Sequence, residues 1–311
     1  MSAAAETVDE RLEWEARHRP RAAIAAFLGA LLTLGGTIYA SAGVSDTPRA
    51  LLLDSLRTLA EPGPIGGRPS ERAEQLQFFV DSSGSRLLAA ILLGLGALAG
   101  SGALTYLAYA TRARAERFAR FLLYVPFVGG VLVLLASVVS AIGTSSYLDT
   151  LVDGPLTVDA IRDADRPAIA YAGSFMQLFG NLFVAMGYIL VSLNAMRAGL
   201  LTRFLGVLGI IAGLLILLPI VAISPILQPL WLLMLGAVIL GKTPGGLLPA
   251  WRTGRAEPWP TAREAANRRR EAEERKQGIT RDEPKTKPQP ERVAAGRPHP
   301  SSKKRKRKRR D

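Results

Sequence analysis

Six stretches of this chain carry no Asp, Glu, Lys, Arg or His: residues 22–43, 87–110, 121–143, 168–192, 204–224 and 225–240. A chain built this way has few folding options. About 20 apolar residues in a row match a hydrocarbon layer about 30 Å thick, and backbone N–H and C=O groups taken into that layer must bond within their own segment. The first five runs meet this length. The sixth, 16 residues long, requires tilt of its neighbours or local thinning of the bilayer. The expected fold is all-α: a polytopic transmembrane helix bundle of about six spans filling 22–240, with a juxtamembrane segment at 1–21, an outer loop at 44–86 and a basic tail at 241–311.

Arginine placement orients the bundle, because short cytoplasmic loops are enriched in Lys and Arg. Arg11, Arg17, Arg19 and Arg21 precede the first span, Arg112, Arg114, Arg117 and Arg120 fill the second loop, and Arg197 and Arg203 flank the fourth. The loop at 144–167 instead holds Asp149, Asp153, Asp159, Asp163 and Asp165 against Arg162 and Arg166. Both termini are therefore expected on the cytoplasmic side of a bacterial membrane. A rival reading takes Ala40-Ser41-Ala42 as a signal-peptide cleavage site, although the apolar run is long for one and acidic residues dilute its basic flank.

Thr7-Val8-Asp9-Glu10 has the form of a capping box, predicting a short helix to about His18 that Pro20 interrupts. Thr47-Pro48 followed by Leu51, Leu52, Leu53, Leu56 and Leu59 predicts a capped amphipathic helix outside the first span, and a second helix begins near Ser70. Pro126 and Pro219 are candidate kinks, and Pro225 with Pro229 suits a tight turn into the last helix. Beyond Leu240, Gly and Pro break regular structure, with Trp251 and Trp259 suited to the membrane interface. Thr261 and Glu264 open a solvated helix to about 277. The Pro-, Lys- and Glu-rich remainder cannot bury enough surface to fold and reads as disordered.

The most polar span is the fourth, where Ser174, Gln177, Asn181 and Tyr188 accompany Gly173, Gly180 and Gly187. Small residues at heptad spacing let backbones approach, and amides bond across helices, so the stripe reads first as a packing surface. The alternative is a cavity for a polar solute or lipid headgroup. Gly96 with Gly100 and Gly209 with Gly213 are GxxxG pairs, fitting intramolecular packing before a homo-oligomer.

The formal charge of +13 resides in the tail: residues 1–241 hold 17 basic and 17 acidic side chains, and residues 242–311 hold 22 and 9. Lys303, Lys304, Arg305, Lys306, Arg307, Lys308, Arg309 and Arg310 form one uninterrupted run. It suits anionic lipid headgroups at about 1 kcal/mol per residue near the leaflet. It also suits RNA through counterion release, or serves as an orientation signal without a partner.

Absences exclude classes of chemistry. The chain has no Cys, hence no disulfide, thiolate nucleophile or iron–sulfur cluster. His18 and His299 lie outside the apolar runs, which removes an intramembrane haem. No span keeps the ionised group that proton-coupled machines retain. Gly241-Lys242-Thr243 lacks the upstream glycine of a phosphate-binding loop. No cofactor and no catalytic set is expected, and the reading is a non-enzymatic membrane protein with a permease-like role as runner-up.

The stretch Phe179 to Leu218, with a polar-faced span, the short basic turn Met196-Arg197-Ala198-Gly199-Leu200-Leu201-Thr202-Arg203 and then Phe204-Leu205-Gly206-Val207-Leu208-Gly209, resembles a pattern in small bacterial six-helix membrane proteins classed as domains of unknown function. The resemblance covers about a third of the apolar part and implies a six-helix layout without an activity.

Overall fold

A computed structural model describes residues 7–48, 70, 72–115, 118–218, 224–243, 246–259, 264, 266–267, 270 and 272–273. Its regular elements are helical. Four helices are long and apolar enough to cross a membrane: α1 (Val8–Ser45), α3 (Ser83–Arg112), α4 (Val125–Val152) and the continuous helical stretch Ala168–Arg197. The last comprises α6 (Ala168–Met186), a π-helical turn (Gly187–Val191) and α7 (Ser192–Arg197). Two shorter apolar helices follow, α8 (Arg203–Leu217) and α9 (Ser224–Ile239). Short elements join them: α2 (Ala73–Asp81), a 3-10 turn (Arg120–Leu123), α5 (Val158–Asp163) and α10 (Pro249–Thr253).

Neighbour relations close into a ring, in which α1 packs on α3, α3 on α4, α4 on α6, α6 on α8, α8 on α9 and α9 back on α1. The outside of that ring is apolar. Leu31, Ile38, Phe175, Leu178, Phe204 and Ile226 are each at least 60% exposed, far more greasy surface than water tolerates as a contiguous belt. The molecule is a helical membrane protein, its outward side chains solvated by lipid.

Small residues set how closely the helices meet. A Cβ on Gly29 would lie 2.7 Å from the Gly100 amide nitrogen, and one on Gly96 would lie 2.5 Å from Thr33 Oγ1. The expected GxxxG pair is thus consumed inside the chain, joining α1 to α3. Across the α4–α6 interface, Gly173 abuts the Ser140 backbone, Gly180 the Val133 backbone and Gly187 the Pro126 ring.

Three sequence expectations about proline are corrected. The N-terminal capping box forms, with Thr7 Oγ1 accepting from the Glu10 amide and the Glu10 carboxylate accepting from the Thr7 amide. The helix it opens, however, does not stop at Pro20 but runs 38 residues to Ser45. Proline removes one amide donor and crowds the preceding turn, at a cost of about 3 kcal/mol in an isolated helix. The carbonyl left without its helical partner is that of Ala16; the two before it take side-chain contacts, the Tyr106 hydroxyl donating to Glu15 C=O at 3.1 Å and His18 Nδ1 lying 2.8 Å from Trp14 C=O. Likewise α9 runs through Pro229 where a turn was expected. Pro126 sits in the first turn of α4, where a missing N–H is harmless, so it starts that helix and does not kink it. Pro219 and the amphipathic segment at 51–59 lie outside the described residues.

The compact unit runs to Trp259. In the separate unit from Pro260 onward, the described positions 264, 266, 267, 270, 272 and 273 are helical.

Candidate functional site

The fourth-span residues separate into three environments. The glycines of the stripe are buried against α4, while Ser174, one position along, is exposed and donates to Ala170 C=O. Gln177 and Asn181 are half-buried and satisfy each other along their own helix, Gln177 Nε2 donating to Asn181 Oδ1 at 2.9 Å. Tyr188 is 1% exposed, in the π turn, with its ring 4.8 Å from that of Trp231. Its hydroxyl faces the Gln228 side chain without completing a hydrogen bond. Neither main cavity of the bundle is lined by Gln177 or Asn181.

A stronger polar feature lies where the sequence offered only loop charges. The Glu15 and Arg114 side chains form an ion pair with 1% and 0% of their surface exposed. The pairing is bidentate: Arg114 Nη1 donates to Glu15 Oε1, and Nη2 donates to Oε2 at 2.8 Å. The same guanidinium donates through Nε to Ala250 C=O at 3.0 Å and through Nη1 to Ala110 C=O at 2.8 Å. A charge taken out of water is tolerated only when paired and fully bonded, and these four bonds meet that condition.

Aromatic rings wall the pair off. Arg114 and Arg19 each place their guanidinium carbon 5.5 Å from the Trp251 ring centre. Tyr106 stacks on Trp251 with centroids 6.0 Å apart and planes 6° apart, and Trp14 stacks on the other side of Tyr106 at 5.9 Å. Trp251 is 1% exposed and donates to Leu200 C=O at 2.9 Å, so it is a core residue and not the interfacial anchor expected. Trp259 donates to Leu201 C=O at 2.8 Å, and the Glu257 amide donates to Ala198 C=O at 3.0 Å. Gly199, at φ +79°, provides the close approach that this docking needs, because a side chain there would strike the Glu257 carbonyl.

One end of the bundle is therefore a knot that joins the N-terminal flank, the second loop, the 198–202 turn and residues 249–259. The sequence held one clue to it. Ala22, Gly29 and Gly36 are buried on α1 at heptad spacing, and one more step back lands on Glu15.

The five aspartates between Asp149 and Asp165 remain exposed around α5, whose first turn is capped by Thr157 Oγ1 accepting from the Ala160 amide. The run from Lys303 to Arg310 lies outside the described residues. No family model, no curated protein and no solved structure matches the chain. The class is set by the fold alone: a polytopic α-helical membrane protein.

Proposed function

We propose that this chain is a non-enzymatic structural or interaction protein of a bacterial cytoplasmic membrane, crossing it six times with both termini in the cytoplasm. Its cytoplasmic end is a rigid platform from which the basic tail reaches anionic headgroups of the same leaflet. The observation that carries the reading is the Glu15–Arg114–Trp251 knot. Contact among residues from the N-terminal flank, the second loop and the stretch after α9 requires an even number of passes between them. At 1.5 Å per residue, α8 and α9 span about 22 and 24 Å, so their crossings call for local thinning of the bilayer.

A permease-like pathway along the fourth span is the weaker reading, because Gln177 and Asn181 bond to each other and line neither main cavity. For the tail, a fluorophore at Ser302→Cys in nanodiscs distinguishes the partners. On the lipid reading its emission shifts to the blue when phosphatidylglycerol is added to phosphatidylcholine, and high salt reverses the shift. No response to phosphatidylglycerol, together with RNA that co-purifies with the full chain and is lost when Lys303 to Arg310 are all changed to Gln, would replace the lipid partner with a nucleic acid.

A further inference from the structure

About 40 Å along α3 from the knot, at 1.5 Å per residue, the opposite end of the bundle holds a cavity of about 620 Å³. It is lined by three arginines, Arg72 ahead of α2, Arg86 in the first turn of α3 and Arg166 ahead of α6, together with Gln75, Thr144 and Tyr147. Among the described residues no carboxylate lines it, and none of the three arginines is ion-paired. Arg86 is held in place by its guanidinium carbon lying 5.2 Å from the Phe79 ring centre, and Arg166 lies 5.9 Å from that of Tyr147. Arg86 is half-buried, and its Nη1 is buried with no hydrogen-bond partner among the described residues. An unsatisfied buried donor on a charged group costs more than an ordinary lost hydrogen bond, so an acceptor there would complete the arrangement.

A second cavity of about 530 Å³ shares Phe79 and Arg86 with the first and descends between α1 and α3 along Tyr39, Val44, Ala89, Ala90 and Leu93. Besides Arg86, its polar groups are Tyr39 on α1, the Asp46 carboxylate at the end of α1, and Ser82 and Ser85 at the start of α3; the deeper residues on α3 are aliphatic. The cationic socket therefore adjoins a mainly apolar groove through Phe79 and Arg86.

We propose that these joined cavities hold one anionic phospholipid of the leaflet at the end away from the Glu15–Arg114 knot, its phosphate among Arg72, Arg86 and Arg166 and one acyl chain along Ala89, Ala90 and Leu93. The inference rests on the membrane reading of the fold but not on the number of spans or on the tail. A free inorganic or organic anion satisfies the arginines and leaves the groove without an occupant. The lipid satisfies both, since guanidinium–phosphate bonds are charge-assisted and each methylene placed in an apolar groove adds to binding.

The test uses the full-length protein in nanodiscs of phosphatidylcholine, of phosphatidylcholine with phosphatidylglycerol, and of phosphatidylcholine with inorganic phosphate in the buffer. Thermal midpoints are read in each, and phosphatidylglycerol retained by the protein is counted by native mass spectrometry. Phosphatidylglycerol is expected to raise the midpoint and leave one tightly held lipid. Arg86→Gln and the exposed Arg166→Gln are each expected to weaken that binding about tenfold, the loss of one charge-assisted bond. Ala90→Trp, which fills the groove and keeps every arginine, is expected to abolish the retained lipid. The basic tail is the same in all variants and drops out of the comparison. If inorganic phosphate raises the midpoint as phosphatidylglycerol does and Ala90→Trp changes nothing, the site takes a free anion and the lipid assignment is overturned. Equal retention by all variants overturns the site itself.

Discussion

Glu15 and Arg114 are held by one another, and that reciprocity sets what each substitution does. Replacing Arg114 with Met leaves the Glu15 carboxylate buried without a counter-charge, and replacing Glu15 with Leu does the same to the guanidinium. Each single change is expected to cost about 3–5 kcal/mol, the usual penalty for stranding a buried charge. Changing both together to Leu and Met is expected to recover most of that loss. Apparent unfolding midpoints of the four proteins in one detergent check this, and strictly additive losses would mean that the two groups are not coupled in the folded state. A milder effect is expected at the N-terminal cap of the same helix. The Thr7 hydrogen bonds hold the Glu10 carboxyl below its ordinary value. A depressed folded-state value stabilises the cap above the unfolded value and loses that contribution as pH falls through the folded one. Amide exchange at Val8 to Arg11 should therefore accelerate only in the acid range, and Glu10→Gln should show no such step.

Helices place these groups, and the sequence revealed the helices unevenly. The apolar runs marked where α1, α3, α4 and α6 lie, because a run without charge reports solvent directly, whatever the tertiary context. Helix ends were harder to read. Pro20 was taken as a break because propensity is local, and nothing in the neighbouring residues shows that Tyr106, 91 positions beyond Glu15, supplies a donor to the Glu15 carbonyl nearby. The knot was hidden for the same reason: Glu15 and Arg114 each look like an ordinary flanking charge until α1 and α3 are laid side by side. The glycines were the reverse case, legible as packing residues though not as to their partners. Gly96 and Gly102, both in α3, make the distinction testable. A side chain on Gly96 meets Thr33 with no room, whereas one on Gly102 meets nothing within 4 Å. Gly96→Val should separate α1 from α3 and expose the N-terminal helix to protease, while Gly102→Ala should raise the unfolding midpoint, worth up to about 1 kcal/mol in helix propensity. Pro20→Ala should also be stabilising, because it restores an amide donor to a helix that is already continuous.

At the scale of the whole molecule, the knot and the arginine socket define two ends of different character. One is built around the buried Glu15–Arg114 pair and tied to both chain flanks; the other is cationic, with three arginines around one cavity. Orientation then decides which compartment each end meets. The chain contains no Cys, so single cysteines report without background. A membrane-impermeant maleimide applied to intact cells should label Ser82→Cys and Ser146→Cys, near the socket. It should leave Ser2→Cys and Ser302→Cys unmodified until the membrane is opened. The α8–α9 hairpin does not disturb this result, because it leaves from and returns to the knot end whether its helices cross fully or partly. The count of crossings is therefore read separately, from a cysteine between α8 and α9, at Ile223. Labelling from outside fixes six passes, and protection on both sides leaves four passes with a hairpin that enters the bilayer without crossing it. Labelling of Ser302→Cys in intact cells would invert the molecule, turn the arginine socket towards the cytoplasm and remove the tail from the leaflet assigned to it.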